Sequence, residues 1–207
     1  DRFGNDRQSI EYHPAYRELE RAAYGEFGIH AMSHRKGILG WADTYPAVAK
    51  HAFTFLFNQA EFGMGCPINV TDGAARLLSR FGDDALKAKY LHGLTQTDMS
   101  KLTQGGQFMT EKEGGSDVGK LTTRAVQEGS HWRLYGEKWF CSNADAKMVM
   151  LLARPEGAVG GTQGVGLFLM PRELDDGSPN RYRLVRLKDK LGTRSMASGE
   201  IKLEGAI

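Results

Sequence analysis

The sequence predicts an α+β fold: a helical first part followed by a small antiparallel β-barrel or sandwich. Two observations predict it. Up to about residue 100, apolar residues recur close to a helical period. Beyond that point, short apolar runs alternate with Gly- and Pro-containing turns, the pattern of a small all-β domain. The boundary is expected at 101/102, with 1–101 a partial N-terminal helical domain and 102–207 a middle β domain.

The helical elements follow in order. From Pro14 to about Ser33, Leu19, Ala22, Ala23, Phe27 and Ala31 keep a near-3.6 spacing. Tyr45-Pro46 opens a second helix, with proline in the first turn where its missing donor costs nothing. Val48, Ala49, Ala52, Phe53, Phe55, Leu56 and Phe57 make this run apolar on most sides, which predicts a buried helix. Gly63 and Gly65 are expected to end it, with Pro67 following. Thr71 or Asp72 is expected to cap a short helix running through Leu78 and Phe81. Gly82-Asp83-Asp84 then starts another, with Leu86, Tyr90 and Leu91 on one side. Its acids lie at the N-terminus and Lys87 and Lys89 further along, in agreement with the helix dipole.

Five or six strands are expected in the second part. Leu121 to Glu128 and His131 to Tyr135 form a hairpin about Glu128-Gly129-Ser130. Met148 to Ala153, Gly164 to Met170, Arg181 to Leu187 and Ser198 to Leu203 complete the set. The glycines between 157 and 166 read as a loop, because no strand–GxGxxG–helix context surrounds them.

Composition narrows the function classes. The chain has 207 residues, 41% hydrophobic and 25% charged, as in ordinary globular proteins. A formal net charge of +2 gives no argument for nucleic acid or an acidic membrane surface. No apolar run approaches the roughly 18 residues of a membrane span. The start, Asp1 to Asp6, has no signal-peptide pattern. Cys66 and Cys141 stand in unrelated contexts, which fits a reducing, cytoplasmic setting. The six histidines are scattered, so no metal site is expected. The chain lacks an initiator Met and stops just after a strand-like stretch, so an internal portion of a longer polypeptide is expected.

Two segments at the helix-to-strand boundary carry chemistry. In Phe108-Met109-Thr110-Glu111-Lys112-Glu113-Gly114-Gly115-Ser116-Asp117, a hydroxyl precedes a turn whose glycines admit close approach of a ligand to the backbone. Exposed N–H groups beside Ser116 suit a carbonyl-rich heterocycle or phosphate oxygens. Local chemistry alone favours an ordinary turn entering a sheet. In Tyr135-Gly136-Glu137-Lys138-Trp139-Phe140-Cys141-Ser142-Asn143, successive aromatics should point to opposite faces of a strand, one to the core and one outward. Phe140 and Ser142 then share a face that can cover a flat ring and hydrogen-bond its edge. On its own this segment is better explained by two core aromatics.

Taken together, these segments resemble the acyl-CoA dehydrogenase family. The carriers are Thr110-Glu111…Gly115-Ser116-Asp117, Gly136-x-Lys138-x-Phe140-x-Ser142-Asn143 and Lys190-Leu191-Gly192-x-Arg194-Ser195, in the family's order. Tyr12-His13-Pro14-Ala15, Cys66-Pro67-Ile68, Lys112 in place of proline after Thr-Glu, Lys138-Trp139-Phe140, and Arg186-Leu187-Lys188-Asp189 are similar to its AidB-type alkylation-response subgroup.

The resemblance implies FAD. It implies Thr110 at the pyrimidine side of the flavin, Ser142 at the N5 side and Phe140 against the ring. Gly115 and Ser116 would line the flavin and the thioester entrance, with Ser116 also touching substrate. Gln107, Met109 and Cys141 complete the implied cofactor-binding set, although Cys141 reads as facing away from the flavin and packing. The implied reaction is α,β-dehydrogenation of an acyl-CoA thioester. The family's catalytic Glu belongs to a C-terminal helical domain not found in these residues, and Glu111 matches a structural position. No catalytic acid or base is therefore named. Implied partners are an electron-acceptor flavoprotein and further copies of the chain, as a dimer or tetramer. A different class remains open, an alkylation-stress flavoprotein with weak turnover and a DNA-binding role. A flavin oxidase or monooxygenase on the same scaffold is a third reading. The basic residues Arg181, Arg183, Arg186, Lys188, Lys190 and Arg194 read as a solvated strand face, with a CoA-phosphate or nucleic-acid contact the weaker alternative.

Overall fold

A computed structural model describes residues 3–5 and 7–207; the polar start read at Asp1, Arg2 and Asp6 lies outside the described residues. The architecture is α+β, as expected, and the chain divides into two compact units. One comprises residues 12–106 and 190–196. The other comprises the described residues among 1–11, with 107–189 and 197–207.

In the helical unit, α1 (Pro14–Glu20) continues through a π-helical stretch (Arg21–Glu26) and stops earlier than the periodicity predicts. Gly28 breaks it with a φ of +58°. A Cβ there would stand 2.9 Å from the Thr97 side chain, so the reversal needs glycine both for its backbone and for its space.

The next helix, α2 (Ala47–Ala60), corrects a second expectation. Its only buried residue is Lys50, while Val48, Phe55 and Leu56 are exposed. Periodicity reports the faces a helix offers for burial, not which of them meets a neighbour.

The largest difference is α3 (Phe62–Phe81), one continuous helix across Gly63, Gly65 and Pro67. Glu61 caps it, accepting from the amides of Gly63 at 3.0 Å and Met64 at 2.5 Å. Pro67 sits in the second turn, where it removes one helical hydrogen bond without ending the helix. Thr71 is no cap. It is buried in mid-helix, donates to the Pro67 carbonyl at 2.8 Å and accepts from the Gly105 amide at 3.1 Å. Asp72 instead pairs with His34 and Lys50. Asp83 caps the last helical stretch, α4 (Asp84–Leu86), which runs through Lys87–Leu91 into α5 (His92–Leu94). The buried core of this unit is built from Tyr16, Tyr24, Ile29, Met32, Met64 and Ile68.

Among the described residues the sheet has seven strands rather than five or six: β1 (Gly105–Phe108), β2 (Arg124–Glu128), β3 (His131–Ser142), β4 (Met148–Pro155), β5 (Gly166–Pro171), β6 (Tyr182–Leu187) and β7 (Ser198–Ala206). Their order is β1-β4-β2-β3-β7-β6, with β5 on β4 and β1 also paired to β3. These pairings close β1, β4, β2 and β3 into a ring. The sheet is not wholly antiparallel, because β2 and β4 pair in parallel. Two chain reversals, one on each side of β3, bring β4 back in the direction of β2. Phe108, Leu134, Cys141, Leu151, Met170, Ile201 and Leu203 fill the core. No helix among the described residues is long and apolar enough to cross a membrane.

Candidate functional site

The site is built where the segment entering from β1 runs beside the end of β3. Gln107 pairs with Ser142, and the Trp139 amide donates to the Thr110 carbonyl at 2.9 Å. The stretch 107–110 therefore lies antiparallel to 139–142, which brings Gln107, Met109, Thr110, Phe140 and Ser142 together. Thr110 and Ser142 lie at opposite ends of this shared ribbon, roughly 10 Å apart by strand rise. Between them Phe140 is 52% exposed, unusual for a large aromatic in a strand. Among the described residues neither the Thr110 nor the Ser142 hydroxyl has a partner within the chain, and the same holds for the backbone amides of Gly115 and Ser116. Gly115 and Ser116 are exposed on the turn that follows.

A β-bulge alters the expected alternation of Trp139 and Phe140. The β3–β7 register shifts between Lys138 and Cys141, which pair with Ile201 and Gly199. The extra residue breaks the period-2 rule. As a result neither aromatic joins the core, and the two rings meet edge to face at 6.1 Å and 85°. The core position goes to Cys141, which is 0% exposed, and burial pushes its thiol pKa up. Its side chain faces away from the exposed ribbon, so any flavin contact from Cys141 falls to its backbone.

Lys138, also buried, explains how the turn is held. Its ammonium donates to the Glu111 carboxylate at 2.7 Å and to the Met109 carbonyl at 3.4 Å. Glu111 also accepts from the Thr122 amide at 2.6 Å, the Thr122 hydroxyl at 2.8 Å, the Thr123 amide at 3.2 Å and the Thr123 hydroxyl. Burial alone would raise the Glu111 pKa, but the bonds from Lys138, Thr123 and Thr122 outweigh it and hold the carboxyl below its ordinary range. Glu111 is thus an anchor for the loop. Sequence reasoning left Lys138 without a role; its signal was a lysine in a strand two residues from Gly136, facing the acid of the preceding motif.

Two lysines flank Trp139. The Lys188 ammonium stands 3.0 Å from the ring centroid and the Lys112 ammonium 4.8 Å. Lys188 was expected on a solvated strand face, yet its side chain is only 9% exposed and it pairs with Glu200 at 3.1 Å. No group of three His, Cys, Asp or Glu residues among those described could hold a metal ion.

The helical unit, the ringed β unit and the exposed ribbon of 107–110 and 139–142 define the class: the chain belongs to the acyl-CoA dehydrogenase family. Residues 106–206 match the acyl-CoA dehydrogenase middle domain, and residues 1–100 match the N-terminal domain of the adaptive response protein AidB. Acyl-CoA dehydrogenase family member 11 of Caenorhabditis elegans is 40% identical over 88% of this chain, which spans 30% of that relative. The putative acyl-CoA dehydrogenase AidB of Escherichia coli K12 is 36% identical over the whole chain, which spans 38% of it. The crystal structure of Caenorhabditis elegans ACDH-11 in complex with C11-CoA superposes with a TM-score of 0.85 at 32% identity, covering 100% of this chain and 36% of that one. The chain therefore spans well under half the length of these relatives.

Proposed function

We propose that this chain supplies the flavin-gripping part of an FAD-dependent oxidoreductase that acts on the CH–CH group of an acyl-CoA thioester. The observation that carries the reading is the exposed Phe140 ring on a two-segment ribbon that also carries the unpartnered hydroxyls of Thr110 and Ser142. The donor set fits a flavin: a flat apolar surface for the ring, with a hydroxyl at each edge. A flavin held there would supply a two-electron acceptor for the hydride leaving the substrate.

The chain's own residues bind and orient. Thr110 would hold the pyrimidine side of the flavin, Ser142 its N5 side, and Phe140 would pack against the ring. The amides of Gly115 and Ser116 line the flavin and the thioester entrance, and Ser116 also meets substrate. Gln107 and Met109 extend the flavin face, and Cys141 adds its backbone. Hydrogen bonds at the ring edge stabilise the negative charge of the reduced state. Glu111 is not the base, because its carboxylate is committed to Lys138, Thr122 and Thr123. On this reading residues 1–101 and 102–207 are the helical and flavin-binding domains, and the base lies outside them. The whole protein passes electrons to an acceptor flavoprotein, assembles with copies of itself, and works in a reducing cytoplasm, in keeping with the free Cys66 and Cys141.

The test is anaerobic addition of acyl-CoAs of graded length to the full-length protein. Bleaching of the oxidised flavin band is expected, and no bleaching with any chain length sinks the reading. The match of residues 1–100 to the AidB N-terminal domain favours a second reading, an alkylation-stress flavoprotein with weak turnover and a DNA-binding role. Salt-sensitive DNA binding by the same preparation, with little bleaching, would support it.

A further inference from the structure

We infer that Lys188 is a positioning residue that holds a positive charge behind the flavin-facing aromatic pair and so biases the site toward the reduced, negatively charged flavin. This rests on the flavin reading above. The Lys188 ammonium stands 3.0 Å from the Trp139 ring centroid and 4.6 Å from that of Phe140. Its place is set by the sheet. The Lys188 amide donates to the Ser198 carbonyl at 2.8 Å, and Ser198 pairs with Ser142 on its other side. Lys188 and Ser142 are therefore held in line across β7.

Two bulges make the approach. β3 carries an extra residue between Lys138 and Cys141, and β6 shifts register between Leu184 and Arg186. Both distortions fall opposite Gly199–Ile201 of β7. Trp139 and Phe140 are the residues inside the first of these shifts, and Lys188 follows the end of β6.

The charge there is not cancelled. Glu200 accepts from Lys188 at 3.1 Å and from Arg186 at 2.8 Å, so one carboxylate serves two cations. The Lys188 side chain is 9% exposed, which limits screening by salt. A ring stacked on Phe140 would lie about 3.5 Å beyond it. The ammonium would then act over roughly 8 Å of mostly protein medium, where a unit charge still counts. Oxidised flavin is neutral and gains little, whereas the reduced ring gains most.

The test separates charge from packing in the full-length protein. Spectroelectrochemistry gives the midpoint potential of the bound flavin, and titration gives the affinities of its two redox states. Lys188→Met keeps the apolar stem and removes the charge. It should make the potential more negative and lower the ratio of reduced to oxidised affinity by about fivefold. Lys188→Arg should keep both near wild type. Glu200→Gln removes the counter-charge and should move the potential in the opposite direction. A potential unchanged in Lys188→Met, or one moved the same way by Glu200→Gln, overturns the inference while the flavin reading stands. A wild-type protein that binds no flavin overturns both.

Discussion

Lys138 and Glu111 form an ion pair at 2.7 Å with side chains 0% and 3% exposed. One residue lies in β3 and the other in the loop after β1, so the pair ties the Thr110–Ser116 loop to the strand that carries Phe140. Burial pushes the Lys138 pKa down, although Glu111 raises it, and the same bond holds the Glu111 carboxyl ionised. The partners are worth most as a unit, because either one alone would be a buried charge without compensation.

Glu111→Gln should therefore destabilise the protein by about 3–5 kcal/mol, the usual cost of breaking a buried pair from one side. Denaturant unfolding of the full-length protein measures it. Glu111→Gln with Lys138→Met should recover part of the loss, because neither buried charge then remains. A double variant as unstable as the sum of its singles would contradict the coupling.

Gly136 supports the same anchor from behind. Its φ is +145°, and a Cβ there would stand 2.8 Å from both the Thr123 Cα and the Thr123 hydroxyl. Gly136→Ala should push Thr123 away from Glu111 and cost about 1–3 kcal/mol. Thermal melting is the check, and an unchanged melting temperature would mean the strand shifts freely.

On the proposed flavin reading, the hydroxyls of Thr110 and Ser142 should act independently of stability. Thr110→Val and Ser142→Ala should each weaken flavin binding by about 1 kcal/mol, close to fivefold, with folding intact. Flavin titration of the apoprotein reads the affinity. The oxidised flavin spectrum should also shift in each variant, and equal spectra would place the hydroxyls away from the ring.

His30 predicts an acid-sensitive helical unit. It is 0% exposed, and its Nε2 donates to the Gln96 carbonyl at 3.0 Å. Burial is the largest influence and, against the raising effect of that bond, brings its pKa down to about 4. His34, Asp72 and Lys50 act on it electrostatically, and the Tyr24 ring packs against it at 4.7 Å. Because the folded value lies below the unfolded value of about 6.5, the neutral ring contributes its full stability above pH 6.5. That contribution is lost as pH falls toward 4, by about 3 kcal/mol in all. Melting temperature against pH should fall across this window, and His30→Phe should flatten the fall. A profile of the same slope in the variant would assign the loss to other groups.

The ribbon of Thr110, Phe140 and Ser142 was legible because its residue types and intervals are local properties of the chain. The helices were legible in kind but not in extent. Gly63, Gly65 and Pro67 are helix-breaking by propensity, but the Glu61 cap and the packing of Met64, Pro67 and Ile68 carry α3 through them. The α2 run is apolar on most sides, and only a neighbouring layer decides which of them is buried.

What the sequence determined by itself was the family and the α+β order of its elements, and it supplied the residues proposed for the flavin face. Tertiary structure decided which charges are buried. Lys188 reads in the chain as one of a run of solvated cations, and Lys138 as an ordinary strand residue. Their burial depends on β-bulges and on acids 12 and 27 residues away, Glu200 and Glu111. Bulges and long-range ion pairs arise from strands meeting in three dimensions, so no local pattern records them.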